Sequence, residues 1–234
     1  GLLSAGSNVT ADRNLSLCNL AGHTVEGNAN LAAGDEAGTG VTGDNNIAIG
    51  SQAGVGITAN RAISMGNKAT ASTDDSIAIG SSSVASGTTS LALGLGAEAT
   101  GTNSISIGNG NKVSGNNSGA IGDPSIINGA NSYSVGNTNT IAAGATDAFV
   151  LGNNVNIGAY SNVVALGSNS NVTVNGGVAL GSSSVANTAA GAAGYNPTTA
   201  TAADKLVIQG TKSTALGAIS VGAAGNTRQI TNVA

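Results

Sequence analysis

An apolar–small–apolar–Gly tetrad recurs along most of the chain. It reads Ile47-Ala48-Ile49-Gly50, Ile63-Ser64-Met65-Gly66, Ile77-Ala78-Ile79-Gly80, Leu91-Ala92-Leu93-Gly94 and Ile105-Ser106-Ile107-Gly108. It continues through Gly119-Ala120-Ile121-Gly122, Tyr133-Ser134-Val135-Gly136, Phe149-Val150-Leu151-Gly152, Val164-Ala165-Leu166-Gly167 and Val178-Ala179-Leu180-Gly181. Upstream, Leu31-Ala32-Ala33-Gly34 and Leu15-Ser16-Leu17-Cys18 keep the frame, with Cys18 in the Gly place. The steps from Gly66 to Gly136 are all 14 residues; the earlier ones are 16, and the later ones 16, 15 and 14. A fixed period of this length marks a repeat architecture.

A second periodic position lies five residues after each closing Gly. From Thr39 it runs Val55, Ala71, Ala85, Ala99, Val113, Ile127, Ile141, Ile157, Val172 and Ala186, apolar at all but the first. Each repeat therefore predicts two short strands separated by polar turns. The apolar Val41 and Ile57, seven after the Gly, predict a longer second strand in the 16-residue repeats. Fourteen residues are too few for a strand–helix–strand unit. They suffice for one coil of a narrow solenoid whose strands stack in parallel on the next coil.

Alternation puts the outer two residues of each tetrad on one face and the middle one on the other. The large residues are expected to fill the coil. The middle row is Ser16, Ala32, Ala48, Ser64, Ala78, Ala92, Ser106, Ala120, Ser134, Val150, Ala165 and Ala179. A solvent-facing row would carry charges, Thr or Asn. This row of small residues predicts close approach of a second chain about a symmetry axis, with Ala48, Ser64, Ala78, Ala92, Ser106, Ala120, Ser134, Ala165 and Ala179 as axis residues.

Composition narrows the function classes. Of 234 residues 37 are Gly, 29 Asn and 8% charged, with one Cys, one His and no Trp. One His and one Cys cannot build a zinc or iron–sulfur site in one chain, and neither a metal nor another cofactor is expected. A net charge of −4 without a basic stripe argues against nucleic acid, heparin or anionic lipid. No apolar run is long enough for a membrane helix, so this piece is not expected to insert into a membrane. The first residue is Gly rather than Met, and no signal peptide is legible, which predicts a fragment of a longer protein.

On these tetrads the chain resembles the head of the YadA-like trimeric autotransporter adhesins of Gram-negative bacteria, whose unit has the form Asn-Ser-Val-Ala-Ile-Gly-x-x-Ser-x-Ala-x-Gly. The matches are Asn103-Ser104-Ile105-Ser106-Ile107-Gly108, and Ser76-Ile77-Ala78-Ile79-Gly80-Ser81 with Ala85 and Gly87. Ala218-Ile219-Ser220-Val221-Gly222, followed by Asn226-Thr227-Arg228-Gln229-Ile230-Thr231-Asn232-Val233, is similar to the family's neck. The resemblance implies an all-β, left-handed parallel β-roll of 14–16-residue coils, a homotrimer about a three-fold axis. It further implies head repeats over 1–186, an insertion over 187–217, and a neck over 218–234 leading to a stalk. Arg228, Gln229, Ile230 and Asn232 would be neck residues, with Arg228 and Gln229 in polar contact between chains. The implied setting is the bacterial surface and virulence, with anchoring in the outer membrane through segments outside these residues. The implied partners are host extracellular-matrix proteins or cell-surface receptors, bound multivalently.

The chemistry-bearing residues support no catalytic reading. His23 falls in the apolar second-strand register and is expected to point inward; no Asp and Ser accompany it in a triad pattern. Cys18 has only Arg13 near it in sequence, a weak basis for a reactive thiol. Asp35-Glu36 and Asp74-Asp75 fall in turns and read as solvated acids. Gly94-Leu95-Gly96 and Gly108-Asn109-Gly110 lack the Gly-Lys-Ser/Thr of a phosphate loop. An ice-binding solenoid needs a regular Thr-x-Thr ladder, and the pattern occurs only at isolated places such as Thr138-Asn139-Thr140. A solenoid lyase or acyltransferase needs clustered acids and bases or a six-residue period, and neither occurs. An adhesin head, not an enzyme, is the expectation.

Overall fold

A computed structural model describes residues 6–232. The tetrads form one 13-stranded parallel sheet, from Leu15–Leu17 through Val178–Leu180 to Ile219–Ser220, each strand pairing with the tetrad of the next coil. Ile77, Ala78 and Ile79, for example, lie opposite Leu91, Ala92 and Leu93. Two-residue strands from Thr70–Ala71 to Val185–Ala186 build the opposite wall, as a seven-stranded and a two-stranded parallel sheet. The chain is thus an all-β parallel solenoid. Thirteen strands at the usual spacing give a stack about 60 Å long.

The core reverses the expected faces. Ala78, Ala92, Ala120 and Ala165 are 0% exposed within the single chain, and Ala48, Ser64, Ser106, Ser134 and Ala179 are buried with them. They point into their own coil and cannot line an axis between chains. The large residues on either side, such as Ile77 and Ile79, point out and are only half-buried. The cause is the cross-section. A 14-residue coil leaves room between its walls for one small side chain from the tetrad and one residue from the opposite strand. The opposite residue is Ala85 or Ala99 in the tightest coils and Val113, Ile127, Ile141 or Ile157 where the filling is larger. The buried serines of the tetrads are not spare polar groups, whereas the buried hydroxyls of Ser90 and Ser104 have no partner among the described residues. Ser64 Oγ accepts from Ala71 N at 2.9 Å, Ser106 Oγ donates to Asn111 O at 3.2 Å, and Ser134 Oγ accepts from Asn139 Nδ2 at 2.9 Å. Each bond spans the coil from one wall to the other.

The 16-residue coils also depart from expectation. Their extra residues lengthen no strand; they make a turn over 37–40 and 53–56. In Gly38-Thr39-Gly40 and Gly54-Val55-Gly56 both glycines take positive φ, between 59° and 72°, which swings Thr39 and Val55 outward. Val55 is exposed, and Ala37, Val41, Ala53 and Ile57 fill the core instead. His23 occupies the matching turn and is half-buried at the surface rather than inside.

Side chains close the coils onto one another. Asn30 and Asn46 sit inside the 16-residue coils. Asn46 Nδ2 donates to Ala59 O at 2.6 Å, and Asn46 Oδ1 accepts from Ala62 N, one coil on, at 2.8 Å. Asn30 does the same with Gly43 O and Asn46 N, both at 2.8 Å. At the outer corners, Asx oxygens cap turn N–H groups of the preceding coil: Asn60 on Asp44, Asp74 on Asn60, Asn137 on Asp123 and Asn153 on Asn137, at 2.8–3.0 Å. The high Asn content follows from this geometry, since Asn both tolerates left-handed turns and bonds to backbone. The closing Gly of each tetrad is required by stacking. Gly66 has φ +130°, and a Cβ on it would lie 2.7 Å from Gly80 O.

Asn46→Ala leaves a buried N–H and a buried carbonyl unpaired, and should cost about 2–4 kcal/mol in chemical denaturation. Asn103→Gly, which keeps the left-handed backbone at φ 54° and removes only exposed corner bonds such as that to Asn117 at 3.0 Å, should cost no more than about 0.5 kcal/mol. Comparable costs would contradict the inside–outside assignment.

Candidate interaction surface

The outward residues of the 13-stranded sheet form two apolar columns running the length of the roll. One holds Ile47, Ile63, Ile77, Leu91 and Ile105, and the other Ile49, Met65, Ile79, Leu93 and Ile107. Leu15 and Leu17 in the first tetrad are 54% and 50% exposed, and Ile121, Phe149, Leu151 and Leu180 farther along are each 46–49% exposed. A continuous apolar face of this length far exceeds the scattered apolar exposure of an ordinary soluble surface. The tetrads announced it: the same large residues that were expected inside are the ones that line it.

Two coils break the columns, one with Ala33 and the other with Gly119. Gly119 stands where the others carry a large residue, and a Cβ on it would fall 2.8 Å from Cδ1 and Cε1 of Tyr133. The Tyr133 ring leans over Gly119 and occupies the space its missing side chain would fill. Phe149 follows directly in the next coil, paired with Tyr133.

Between Val185–Ala186 and Ile219–Ser220 the chain leaves the roll, forms helix α1 over Ala202–Gly210, and returns to add the last sheet strand beside Val178 and Ala179. α1 is capped by Thr201. Its Oγ1 accepts from Asp204 N at 3.2 Å and donates to Asp204 Oδ2 at 2.6 Å, as does Thr201 N at 3.0 Å. These bonds from the Thr201 side chain and backbone hold the Asp204 carboxyl below the usual aspartate range. None of the α1 side chains is buried, and Leu206 and Val207 face outward with Tyr195 and Leu216.

Arg228 fastens the returning strand. Its Nη1 donates to Ser184 Oγ at 2.9 Å and to Val221 O at 2.6 Å, and Nη2 donates to Ser182 O. These partners belong to its own chain. The guanidinium lies over Gly181, where a Cβ would sit 3.1 Å from Cζ. Gln229, Ile230 and Asn232 are exposed beyond it; Val233 lies outside the described residues. Beside Arg228 an open hollow of about 700 Å³ is lined by Val185, Ile219, Val221 and Thr227.

The remaining chemistry-bearing residues are dispersed. Cys18 is exposed and free, with φ +93° in the Gly place. Asp75 forms an ion pair with Arg61 at 2.6 Å, and the hydrogen bonds from Arg61 hold its carboxyl below the usual range. Asp74 caps Asn60, Asp35 accepts from Asn19 Nδ2 at 2.9 Å, and Glu36 accepts from Gln52 Nε2 at 2.7 Å. Each acid of the two pairs therefore serves a separate ladder. Lys112 and Glu98, whose spacing predicts turn positions, lie on the two-residue strands and pair at 2.7 Å. Among the described residues no three His, Cys, Asp or Glu gather as a metal would require, and no helix is long and apolar enough to cross a membrane.

The model of the YadA head domain repeat matches residues 58–83, 74–97, 85–111, 99–123 and 164–187. A solved structure, the collagen-binding domain of the Yersinia adhesin YadA, is 20% identical to this chain. The match covers 83% of this chain and 75% of that one, with a TM-score of 0.43. No curated protein matches the chain.

Two substitutions test the surface. Ala92→Glu buries an unpaired charge in the chain's own core and should cost about 3–5 kcal/mol in chemical denaturation. Arg228→Met should free the last strand, raising amide exchange at residues 219–222 roughly tenfold, about 1.4 kcal/mol, while exchange at the tetrads of coils 47–136 stays unchanged.

Proposed function

We propose that the chain is a YadA-like head, three copies of which assemble about a common axis through the outward apolar columns and act as an adhesin at the bacterial surface. The observation that carries the assembly is the apolar face itself. A straight face repeating every coil is matched along its whole length only by a surface of the same period, and a second copy of the chain is such a surface. The axis residues are then the flanking large residues, such as Ile79 and Leu93, in place of the Ala and Ser row.

In this reading residues 187–217 are an insertion ahead of a neck spanning 218–234, and the exposed apolar side of α1 rests on a neighbouring protomer. The neck carries the chain toward a stalk and an outer-membrane anchor outside this sequence. The head has no enzymatic role. The partner is an extracellular-matrix protein or a host-cell receptor, in keeping with the collagen-binding description of the Yersinia domain. The outer walls carry Asn, Ser and Thr in near-identical coils, with no cluster of aromatics or Arg of the kind that dominates a compact hot spot. Adhesion then rests on many weak polar contacts, repeated along the rod and in three copies. Such multivalency can raise avidity over one-site affinity by about 10²–10⁴.

Native mass spectrometry at micromolar concentration should give a trimer for the parent. Leu93→Asp with Leu151→Asp places six charges on the axis, and should yield monomers or dimers. Beads coated with the trimer, applied to an array of matrix proteins, should adhere to at least one of them. Excising two coils in register, residues 67–94, should weaken that adhesion by a graded factor. Its complete loss, with the trimer intact, would place the binding site within those coils and defeat the distributed model.

A further inference from the structure

The assembly proposed above has a register problem. Apart from Ala33 and the run Gly119, Tyr133 and Phe149, the outward columns present Ile, Leu, Val or Met coil after coil, so two such faces displaced by one coil meet nearly as well as two faces in step. Uniform seams of this kind specify their alignment weakly, and a single irregular position can fix it, as a lone polar residue does in a coiled coil. Gly119 and Tyr133 form such an irregularity. Gly119 removes a side chain from one layer, and the Tyr133 ring from the next coil leans into that space, its Cδ1 and Cε1 2.8 Å from where a Cβ would be. Tyr133 remains 42% exposed, so the ring is only partly covered by its own chain. The whole sequence holds one Phe and three Tyr, and Phe149 and Tyr133 stand on adjacent coils of this face.

We propose that Gly119 and Tyr133 are a register key, which aligns the three copies of the chain along the axis by bringing the three Tyr133 rings, each leaning over its own chain's Gly119, into one layer. The inference rests on the trimeric reading and adds alignment to it. In step, the Gly119 layers of the three chains coincide and the three rings that lean over them meet at one level. Displaced by one coil, a ring meets either the Ile105 layer, where no space exists, or a neighbour's Tyr133, where two rings compete. Overfilling of this kind is unfavourable in a close-packed interface, and it occurs in either direction of slip.

The test moves the key by one coil. The variant Gly119→Ile, Tyr133→Gly, Phe149→Tyr places a ring over a glycine one layer further on. Parent and variant, carrying tags of different mass, are mixed unfolded in equal amounts, refolded together and weighed by native mass spectrometry. Trimers of one kind should dominate, with mixed trimers depleted at least tenfold below the 1:3:3:1 statistical pattern. Statistical mixing would overturn the key while leaving the trimer standing. A monomeric parent would overturn the trimer reading, and the key with it. Should the shifted variant fail to fold, Tyr133→Ala decides. In a trimer held in step, the three vacated ring positions converge with the Gly119 layer in one cavity, and p-cresol, the tyrosine side-chain analogue, should raise the Tm of Tyr133→Ala but not of the parent. No rise would overturn the key.

Discussion

The width of the coil governs the rest of this structure. Fourteen residues, bent through two corners, leave an interior that admits one small side chain from the tetrad wall and one residue from the wall opposite. Ala and Ser at the middle of each tetrad are what fits. The Ser hydroxyls cross the gap to backbone and side-chain partners, so polarity inside is compensated rather than avoided. An interior so thin cannot stabilise a chain by apolar burial alone. Stability is spread over the stack, where each coil adds parallel backbone pairing and a set of side-chain bonds to its neighbours.

Stacking also explains the composition. A coil with sharp corners needs left-handed backbone at fixed places, and its turn N–H groups have no strand partner. Asn, Asp, Ser, Thr and Gly meet both demands. Asn103, Asn117 and Asn131 take φ near 53° and link to one another through their amides. The buried Asn30 and Asn46 satisfy backbone on two successive coils at once. Charge contributes little here, and its few pairs, Arg61 with Asp75 and Lys112 with Glu98, follow the same coil-to-coil geometry.

A core filled by small residues sends the large ones outward. The apolar face is therefore a consequence of the coil's dimensions, and a roll built this way needs company. Its irregularities, Gly119 beneath Tyr133 and the excursion that carries α1, interrupt a surface that is otherwise the same at every coil. The closing strand is secured by Arg228 over Gly181, so the end of the roll is finished within the chain itself.

The period of the tetrads, read as sequence, determined the solenoid, the parallel pairing, the position of the tetrad strands and the place where the repeat stops, because stacking in register demands equivalent residues at equivalent positions. It also separated the two faces of each strand, since alternation is a property of extended backbone. It did not determine which face is inside. The rule that large apolar residues are buried presumes a core with room for them, and the room depends on how tightly two corners bend, which no local pattern states. The same limit applied to Val55 and His23, carried outward by turns whose left-handed glycine or threonine neighbours act on direction rather than on hydrophobicity. Gly119 lacks the large side chain of the other tetrads, and the ring of Tyr133, fourteen residues on and one coil away, fills its place. Arg228 found Ser182 and Ser184 only because the chain returned to the roll after α1. Contacts of that kind are settled by the stack as a whole, since the partners are distant in sequence and meet only when the coils close.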